Sequence, residues 1–485
     1  MLSCYTICPV APPATRRVRS ITLRLSAIIV VIFAAAAGAD SFSPQRQFPT
    51  SWDHVQVFVD QLDGGLTTAQ KKFAASHYAG TQKQTSNLID AIRVYNPNFI
   101  MLQYRLGVRD SGEQVPFIHH DTWSSDWPTV NSHEDWFVHD SQNNRVYQLY
   151  GGNIREYVMD ISGTINANTS SGWKEYWSST VQADVISSRG DGVFADSSQL
   201  PYAVPSDLWD SPIGSPPHTA YIDDMNAFYA YTYQRFNAAN QYFIPNIGGL
   251  TTTLDTTSGY YTNVHGAMVE GAATKGNNGD WKLQQNRVLN LIRNDKIYIA
   301  QNIPNENDIP ARVWQLANFL LIRHERSFLN INGSEGQLSW YPEYDLEIGQ
   351  PLDKSVPASI DGRRDARGIY FRRYEDGLVL VNPTNSALAF ALSPGDPHLL
   401  ATPFGGGGIL ADGTVAHPMG WTYQLEGSSI TLQPWSAAIL VPEPGAIACA
   451  VAAAAMLMRR RRQPSRKQTA EIPPAVHTGC APALA

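Results

Sequence analysis

Short apolar runs alternate with longer amphipathic runs along this chain from Trp52 onward. This alternation is typical of βα units, whose strands form a parallel sheet that the helices cover. Eight runs resemble strands, at residues 55–60, 99–104, 157–160, 192–196, 242–246, 266–270, 296–301 and 327–331. Helical patterns lie between them at 86–95, 172–188, 221–239, 281–294 and 309–325. Eight strands can close into a (β/α)8 TIM barrel, so we predict an α/β fold with a catalytic barrel domain over residues 40–335.

The sequence changes character after the last of these runs. Residues 336–360 are rich in proline and tyrosine and show no helical period. Short strand-like runs follow, separated by Asp-Gly, Pro-Thr-Asn and glycine-rich turns. We therefore predict a small antiparallel β-sandwich domain over residues 350–440. The run Gly405 to Gly408 is interpreted as a flexible turn, because it lacks the Lys-Ser/Thr of a phosphate-binding loop.

The N-terminal segment has the parts of a secretory signal peptide. Four arginines, the last of them Arg24, precede an apolar run at 25–37, and Ala37-Gly38-Ala39 supplies small residues for cleavage. We predict that residues 1–39 are removed by signal peptidase. A membrane-spanning anchor is the alternative, but the run is shorter than the roughly 20 residues that a span requires.

The C-terminal segment carries three features in a fixed order. Val441-Pro-Glu-Pro444 is followed by an apolar stretch at 445–458 and by four arginines at 459–462. This order resembles the PEP-CTERM sorting signal, which implies processing of residues 441–462 by an exosortase-type enzyme. Residues 463–485 are predicted to be a disordered tail, and an uncleaved membrane anchor is the alternative. Both interpretations place the body outside the cytoplasm, in the periplasm, at the cell surface or in the medium.

The body of the chain between these segments is acidic. The whole chain carries a formal charge of -7, and residues 1–39 and 445–485 together contribute nine net positive charges, which leaves -16 for the body. Such a surface repels phosphate backbones, so we expect no nucleic-acid partner. All four cysteines, at positions 4, 8, 449 and 480, lie in the terminal segments. The body therefore has no disulfide, no thiolate nucleophile and no cysteine metal site.

Side chains that can hydrogen-bond or ionise stand at the ends of most predicted strands. On a barrel the carboxyl ends of the strands share one rim, so these residues are candidates for binding sugar hydroxyls. The candidates are Asp60, Tyr104, Asp160, Asn246 and Gln301. The alternative for each one is a cap for the following helix. In the long segment 105–157, Trp123 and Trp136 could form platforms for sugar rings, or they could be buried aromatics that pin the segment to the barrel.

Two carboxylates stand at the ends of the fourth and sixth predicted strands, Asp196 after Gly-Val-Phe-Ala and Glu270 after Gly-Ala-Met-Val. Cleavage of a glycosidic bond needs one acid to protonate the leaving oxygen and one anion to oppose the positive charge of the transition state. The polar turn Ser197-Ser198 would keep Asp196 ionised, as a nucleophile or base. The drier surroundings of Glu270 would raise its pKa and suit a proton donor.

Four motifs in this region carry a family resemblance. They are His133-Glu-Asp-Trp-Phe-Val-His-Asp140, Tyr157-Val-Met-Asp160, Gly172-Trp-Lys-Glu-Tyr-Trp177 and Gly190-Asp-Gly-Val-Phe-Ala-Asp196. Together they resemble glycoside hydrolase barrels related to endo-alpha-1,4-polygalactosaminidase and, more distantly, to the alpha-galactosidase clan. The resemblance covers roughly residues 52–335. It implies that Asp196 and Glu270, at strand ends four and six, are the catalytic pair.

The sequence thus predicts an exported glycoside hydrolase that cleaves O-glycosidic bonds of an extracellular polysaccharide or oligosaccharide. One alternative is a catalytically inactive barrel that binds glycan or serves as a structural protein of the cell surface. Another is a metal-dependent deacetylase or phosphoesterase, which would need a His/Asp cluster at the strand ends. His119-His120-Asp121 has no third ligand at metal spacing, so we expect no metal and no cofactor.

Overall fold

A computed structural model of the chain describes residues 42–62, 65–112, 126–140, 142–150, 154–161, 172–198, 219–248, 262–273, 275–302, 304–331 and 336–443. The predicted signal peptide, the sorting segment from residue 444 onward and the tail lie outside the described residues. Trp123 and the run His119 to Asp121 lie outside them as well. Among the described residues, no helix combines the length and the apolar character that crossing a bilayer requires.

Eight parallel strands form the central sheet. Their bounds in chain order are Gln56–Val59, Tyr78–Gln82, Ile100–Leu106, Gly192–Asp196, Tyr242–Pro245, Gly266–Glu270, Ile297–Asn302 and Ser327–Ile331. The first strand pairs with the second and with the eighth, and the order around the sheet is five, four, three, two, one, eight, seven, six. A parallel bridge between Asn246 and Met268 joins the fifth strand to the sixth. The sheet is thus a closed barrel, which confirms the predicted fold class.

Seven α-helices accompany the strands in the described residues. They are α1 Thr68–His77, α2 Ser86–Arg93, α3 Trp127–Asn131, α4 Trp173–Ser187, α5 Thr219–Ala238, α6 Asn278–Arg293 and α7 Ile309–Ile322. Short 3-10 helices lie at Glu134–Trp136, Pro342–Asp345 and Ile360–Arg363. Helix α7 follows the predicted pattern closely, because the side chain of Asp308 accepts a hydrogen bond from Ala311 N and Pro310 stands in the first turn.

One predicted barrel strand is wrong and another was missed. Residues 157–160 do not form a barrel strand, because Tyr157 belongs to a three-stranded antiparallel sheet of Arg109–Asp110, Tyr147–Tyr150 and Ile154–Val158. Alternating exposed and buried positions in Ile154–Val158 are typical of such a half-covered strand. The true second barrel strand is Tyr78–Gln82, which continues directly from α1 and has small and polar residues where a long apolar run was expected. The wrong strand and the missed strand both precede Gly192 in the chain, so the numbering of the later strands does not change. Asp196 and Glu270 therefore still end strands four and six.

The C-terminal region is built of antiparallel sheets, as predicted. A five-stranded sheet has the order Tyr370–Tyr374, Gly377–Asn382, Ser436–Val441, Leu399–Phe404, Gly420–Leu425, and a two-stranded sheet joins Leu388–Ala391 to Ser429–Leu432. Leu378 and Leu380 face a core shared with the two-stranded sheet. Val379 and Val381 belong instead to the main core, together with residues of α7. The strand Gly377–Asn382 is therefore buried on both faces, which joins the β region to the barrel.

Residues 405–419 form an arm that leaves the five-stranded sheet and lies on the barrel. Gly407 pairs with Trp340 and Gly408 with Ser339, and the Thr67 hydroxyl at the start of α1 donates to the carbonyl of Ala411 at 2.6 Å. A Cβ on Gly405, whose φ is +70°, would lie 1.8 Å from the carbonyl oxygen of Pro418. The interpretation of this run as a flexible turn is wrong, because pairing and close packing fix its backbone.

Candidate active site

The barrel interior is apolar at one end and polar at the other. Phe58, Leu102, Phe194, Ile299 and Phe328 belong to one buried cluster that fills the interior, and Phe48 packs against Phe58 and Phe328 beneath it. Polar side chains follow at the carboxyl ends of the strands. A packed barrel has no pore, so a substrate can be bound only at this carboxyl-end rim. The predicted site residues Asp60, Tyr104, Asp196, Asn246, Glu270 and Gln301 all lie there.

Asp196 ends the fourth strand and accepts three hydrogen bonds on its carboxylate. The Tyr104 hydroxyl donates to Oδ2 at 2.7 Å, while Ser197 N and Asn246 Nδ2 each donate to Oδ1 at 2.8 Å. Ser197 has a positive φ of 48°, which turns its backbone N–H back onto the carboxylate that precedes it. Three donors thus fix the orientation of this carboxylate. The hydroxyl of Ser198, also expected to serve the carboxylate, donates to the Asp196 backbone carbonyl instead.

Tyr104 remains a hydrogen-bond donor across the physiological pH range. Burial, and after it the negative charge of Asp196, raises the pKa of the Tyr104 hydroxyl well above its usual value. The phenol therefore keeps its proton and presents it to Asp196. The sequence predicted Tyr104 as a sugar ligand, whereas the structure shows that its hydroxyl serves a catalytic candidate.

Asn246 joins the two carboxyls. Its Nδ2 donates to Oδ1 of Asp196 at 2.8 Å and to Oε2 of Glu270 at 3.0 Å. Its Oδ1 accepts from the backbone N–H of Gly248 at 2.9 Å, which fixes which way the amide faces. Oδ1 of Asp196 and Oε2 of Glu270 are both bonded to the same nitrogen. The distance between these two oxygens therefore cannot exceed the sum of the two hydrogen-bond lengths, about 6 Å. Asp196 and Glu270 therefore share one pocket.

Glu270 has an environment different from that of Asp196. Among the described residues its carboxyl accepts one hydrogen bond, from Asn246, and the residue is exposed at the rim. Desolvation by protein atoms raises the pKa of Glu270, and the negative charge of Asp196 raises it further. The hydrogen bond from Asn246 and the positive charge of Lys83 lower this pKa, but burial outweighs them. Glu270 is thus the carboxyl of the pair that is better suited to carry a proton.

A second polar network lies beside the pair. Asp60 is buried and accepts from Gln82 Nε2 at 2.7 Å and from Lys83 Nζ at 2.9 Å. The Lys83 ammonium also lies 5.1 Å from the centroid of the Tyr104 ring. Sequence reasoning missed Gln82 and Lys83 because it missed the strand that ends at Gln82. The available signal was the pair Gln82-Lys83 itself, which has the same polar character as the other strand ends.

The remaining predicted ligands fall into two groups. Gln301 is buried at the rim and its Cα is in register with that of Glu270, while its Oε1 has no hydrogen-bond partner among the described residues. Asp160 does not end a barrel strand, and its backbone N–H donates to the carbonyl of Trp136. Trp136 is buried, stacked on His133 with ring centroids 3.9 Å apart, and packs against Tyr176. The buried indole of Trp136 therefore attaches its loop to α4. This agrees with the alternative given for this residue, a buried aromatic that holds the segment against the barrel.

The described residues contain no group of three or more His, Cys, Asp or Glu side chains arranged to hold a metal ion. Asp60, the buried carboxylate nearest to such a role, is already engaged by Lys83.

Comparison with known proteins assigns the chain to a family. Residues 93–378, more than half of the chain, match the model of hypothetical glycosyl hydrolase family 15. The chain belongs to this family. The matched range includes Asp196, Asn246 and Glu270 and continues into the first strands of the C-terminal region. The chain is accordingly a glycoside hydrolase by family, which confirms the predicted class of enzyme.

The solved structures to which this chain is similar are distant from it in sequence. A variant of MutB in complex with glucose is 8% identical, with 80% of this chain and 98% of that chain covered at a TM-score of 0.41. Isomaltulose synthase PalI from Klebsiella sp. LX3 is 10% identical, with 81% and 100% covered at a TM-score of 0.41. No curated protein matches the chain. Residue roles are therefore argued from the geometry of this chain.

Proposed function

We propose that this protein is an exported, retaining glycoside hydrolase in which Asp196 is the nucleophile and Glu270 the acid/base. The observation that supports the proposal most strongly is the single amide of Asn246 that hydrogen-bonds to both carboxyls. It brings the two acids into one pocket at the rim where barrel enzymes carry out their chemistry. The membership of the chain in a glycosyl hydrolase family supports the same reaction class.

The proposed reaction has two steps. In the first, Oδ2 or Oδ1 of Asp196 attacks the anomeric carbon while Glu270 gives its proton to the departing glycosidic oxygen, so that a glycosyl ester of Asp196 forms. In the second, Glu270, now ionised, takes a proton from water, and the water oxygen attacks the anomeric carbon. The ester bond breaks and Asp196 regains its charge. The two inversions give a sugar with its original anomeric configuration.

The retaining assignment is supported by the spacing of the carboxyls. Retaining enzymes hold their two carboxyls about 5 to 5.5 Å apart, whereas inverting enzymes need about 6.5 to 9.5 Å to place a water between sugar and base. Two oxygens that share the Asn246 amide fit the shorter spacing. The environments of the two acids support the division of roles, because Asp196 accepts three hydrogen bonds and the pKa of Glu270 is raised.

The finer parts of the proposal concern substrate and location. The signal-peptide pattern at 1–39 and the PEP-CTERM-like order at 441–462 support export, processing by signal peptidase and an exosortase-type enzyme, and a place outside the cytoplasm. There the available glycosides are polysaccharides, so we propose a polysaccharide of the cell surface or its surroundings as the substrate. The resemblance to polygalactosaminidase-type barrels makes polymers of galactosamine one candidate among them.

A hydrolysis screen with matched variants tests the proposal. The full chain is assayed for release of reducing ends from starch, dextran, laminarin, galactan and a galactosamine polymer, and for cleavage of chromogenic aryl glycosides of both anomeric forms. Asp196→Asn should reduce turnover to background, and Glu270→Gln should reduce it by roughly 10²- to 10⁴-fold on substrates with poor leaving groups. Azide should rescue Asp196→Ala to give a glycosyl azide of inverted configuration. Turnover like that of the wild type in either variant would contradict the proposal.

A further inference from the structure

A pocket of about 390 Å³ lies beside the carboxyl-end rim of the barrel. Its walls come from three parts of the chain. They are the loop after the seventh strand with Glu306, Tyr341 after the eighth strand, and the C-terminal arm, which contributes His417 and is preceded by Phe404. We call this cavity the arm pocket. Glu306 is the fifth residue after Gln301 at the strand end, so their Cα atoms are at most roughly 18 Å apart. Glu306 lies in the loop between the seventh strand and α7, so this wall of the arm pocket is on the carboxyl-end side of the barrel, the side where Asp196 and Glu270 lie.

An exposed aromatic ring, that of Phe404, lines the arm pocket. Phe404 is 42% exposed, although it ends a strand of the five-stranded sheet. Its ring lies over Gly420, where an added Cβ would come within 3.1 Å of the ring carbon Cζ. The ring thus packs close to the Gly420 backbone, and exposed ring surface remains. An exposed aromatic ring is suited to stacking on the C–H face of a pyranose.

Two polar side chains face each other across the same pocket. A Cβ built on Gly407 would lie 3.5 Å from Cδ2 of His417 and 3.8 Å from Oε2 of Glu306. Among the described residues, neither the Glu306 carboxylate nor the His417 imidazole has a hydrogen bond or an ion pair. A carboxylate accepts hydrogen bonds from hydroxyls, and an imidazole can donate or accept. The two groups can therefore bind sugar hydroxyls on the edge of a ring that stacks on Phe404.

The arm pocket is also anchored firmly to the barrel. Arg312, buried in α7, donates to the carbonyls of Glu306 at 2.9 Å and of Gly405 at 3.2 Å, and it forms a buried bidentate ion pair with Glu343. One guanidinium thus holds the loop after the seventh strand and the C-terminal arm at a constant spacing. Because the buried Arg312 guanidinium bonds to both walls, the arm pocket is already formed without a ligand.

We propose that the arm pocket is an outlying subsite for an uncharged pyranose unit of a polysaccharide chain whose scissile bond lies between Asp196 and Glu270. The inference rests on the proposed function, and it adds a binding role for the C-terminal β region. The carboxylate of Glu306 selects against acidic sugars, because a uronate would place like charges together. The span from the rim to the pocket is short enough for a few linked sugar units to occupy both.

Affinity electrophoresis tests the subsite without hydrolysis. The full chain carrying Asp196→Asn migrates through native gels that contain each polysaccharide of the hydrolysis panel, or alginate as an acidic polymer. We expect retardation by at least one uncharged polymer and none by alginate. Adding Phe404→Ala or Glu306→Gln should weaken this retardation at least 5-fold. Leu410→Ala, on the same arm but outside the pocket, should leave it unchanged. Absence of retardation by every polymer, or retardation that Phe404→Ala does not weaken, would overturn the subsite.

Kinetics on an otherwise wild-type chain separate this proposal from the function on which it rests. For Phe404→Ala, KM for the polysaccharide should rise about 5- to 20-fold more than KM for an aryl glycoside, which has only one sugar ring. Equal changes in both KM values would contradict the subsite while leaving the catalytic pair intact. Undiminished turnover in Asp196→Asn would contradict the catalytic pair itself.

Discussion

The side-chain amide of Asn246 donates a 3.0 Å hydrogen bond to the Glu270 carboxyl and lowers a pKa that burial has raised. The same nitrogen donates to Asp196, so one side chain sets both the spacing of the two acids and part of their electrostatic difference. This relationship has a direct consequence for the pH dependence of the enzyme.

Replacing Asn246 with alanine should move the alkaline limb of the kcat/KM profile to higher pH. Without the amide hydrogen bond the charged form of Glu270 loses a stabilising contact, so its pKa rises. A general acid works only while protonated, and a higher pKa extends the protonated range upward. The measurement is kcat/KM against pH for Asn246→Ala, with the exposed Asn98→Ala as control. An alkaline limb that stays in place or moves to lower pH would contradict the assignment of Glu270.

Tyr104→Phe should slow catalysis while leaving the fold intact. The substitution removes one of the three donors to the Asp196 carboxylate and keeps the buried ring. A hydrogen bond to a charged group is worth about 1.5–3 kcal/mol, so kcat/KM should fall by roughly 10- to 100-fold. Thermal unfolding and steady-state rates are compared with those of Tyr95→Phe, an exposed tyrosine outside the site. Wild-type rates in Tyr104→Phe would show that this bond contributes nothing to the reaction.

Arg312→Met should destabilise the protein strongly. Arg312 and Glu343 are both buried and form two hydrogen bonds of 2.7 and 2.6 Å. Removing one partner leaves an unpaired buried charge, which costs about 3–5 kcal/mol. Urea unfolding measures the loss. The control is Arg189→Met, which breaks the exposed pair with Asp90 and should cost no more than about 1 kcal/mol. A loss of similar size in both variants would contradict the structural role of the buried pair.

His265 should make the fold more stable near neutral pH than in mild acid. Its Nδ1 accepts from the backbone N–H of Phe243 at 2.9 Å, and burial lowers its pKa to about 3. The unfolded chain binds this proton near pH 6.5, so the contribution is complete above that pH and is lost as the pH falls towards 3. The free energy of unfolding should therefore vary less with pH between 6 and 4 in His265→Gln. The exposed His54→Gln serves as control, and an unchanged slope in His265→Gln would contradict the neutral buried imidazole.

The barrel could be predicted from sequence because its apolar strands and intervening helices have distinct periods. Six of the eight predicted strands also end at a polar residue that could serve the rim, as at Asp196 and Glu270. Tyr78–Gln82 was missed because its barrel position tolerates small and polar residues, with Gly80 packed against Phe58 and Ile100. The position of such a strand in the sheet depends on packing against the adjacent strands, because its own residues lack a hydrophobic pattern.

The two carboxylates could be predicted as a pair, but their connection through Asn246 could not. Asn246 was expected to bind sugar because its position at a strand end fits that role equally well. Which group an amide contacts depends on the rotation of its side chain and on the backbone N–H of Gly248, and neither is encoded in a local pattern. The arm pocket was beyond prediction for a similar reason, since Glu306 and His417 are far apart in sequence and meet only when the arm packs on the barrel.

Covalent trapping tests the central claim most directly. The full chain is incubated with a 2-deoxy-2-fluoro glycosyl fluoride of the sugar identified in the hydrolysis screen, and the intact mass and the peptide masses are measured. The account predicts one added fluoroglycosyl group on Asp196, and no addition to Asp196→Asn. A label on any other carboxylate, or a wild-type enzyme that hydrolyses the parent glycoside without ever being labelled, would contradict it.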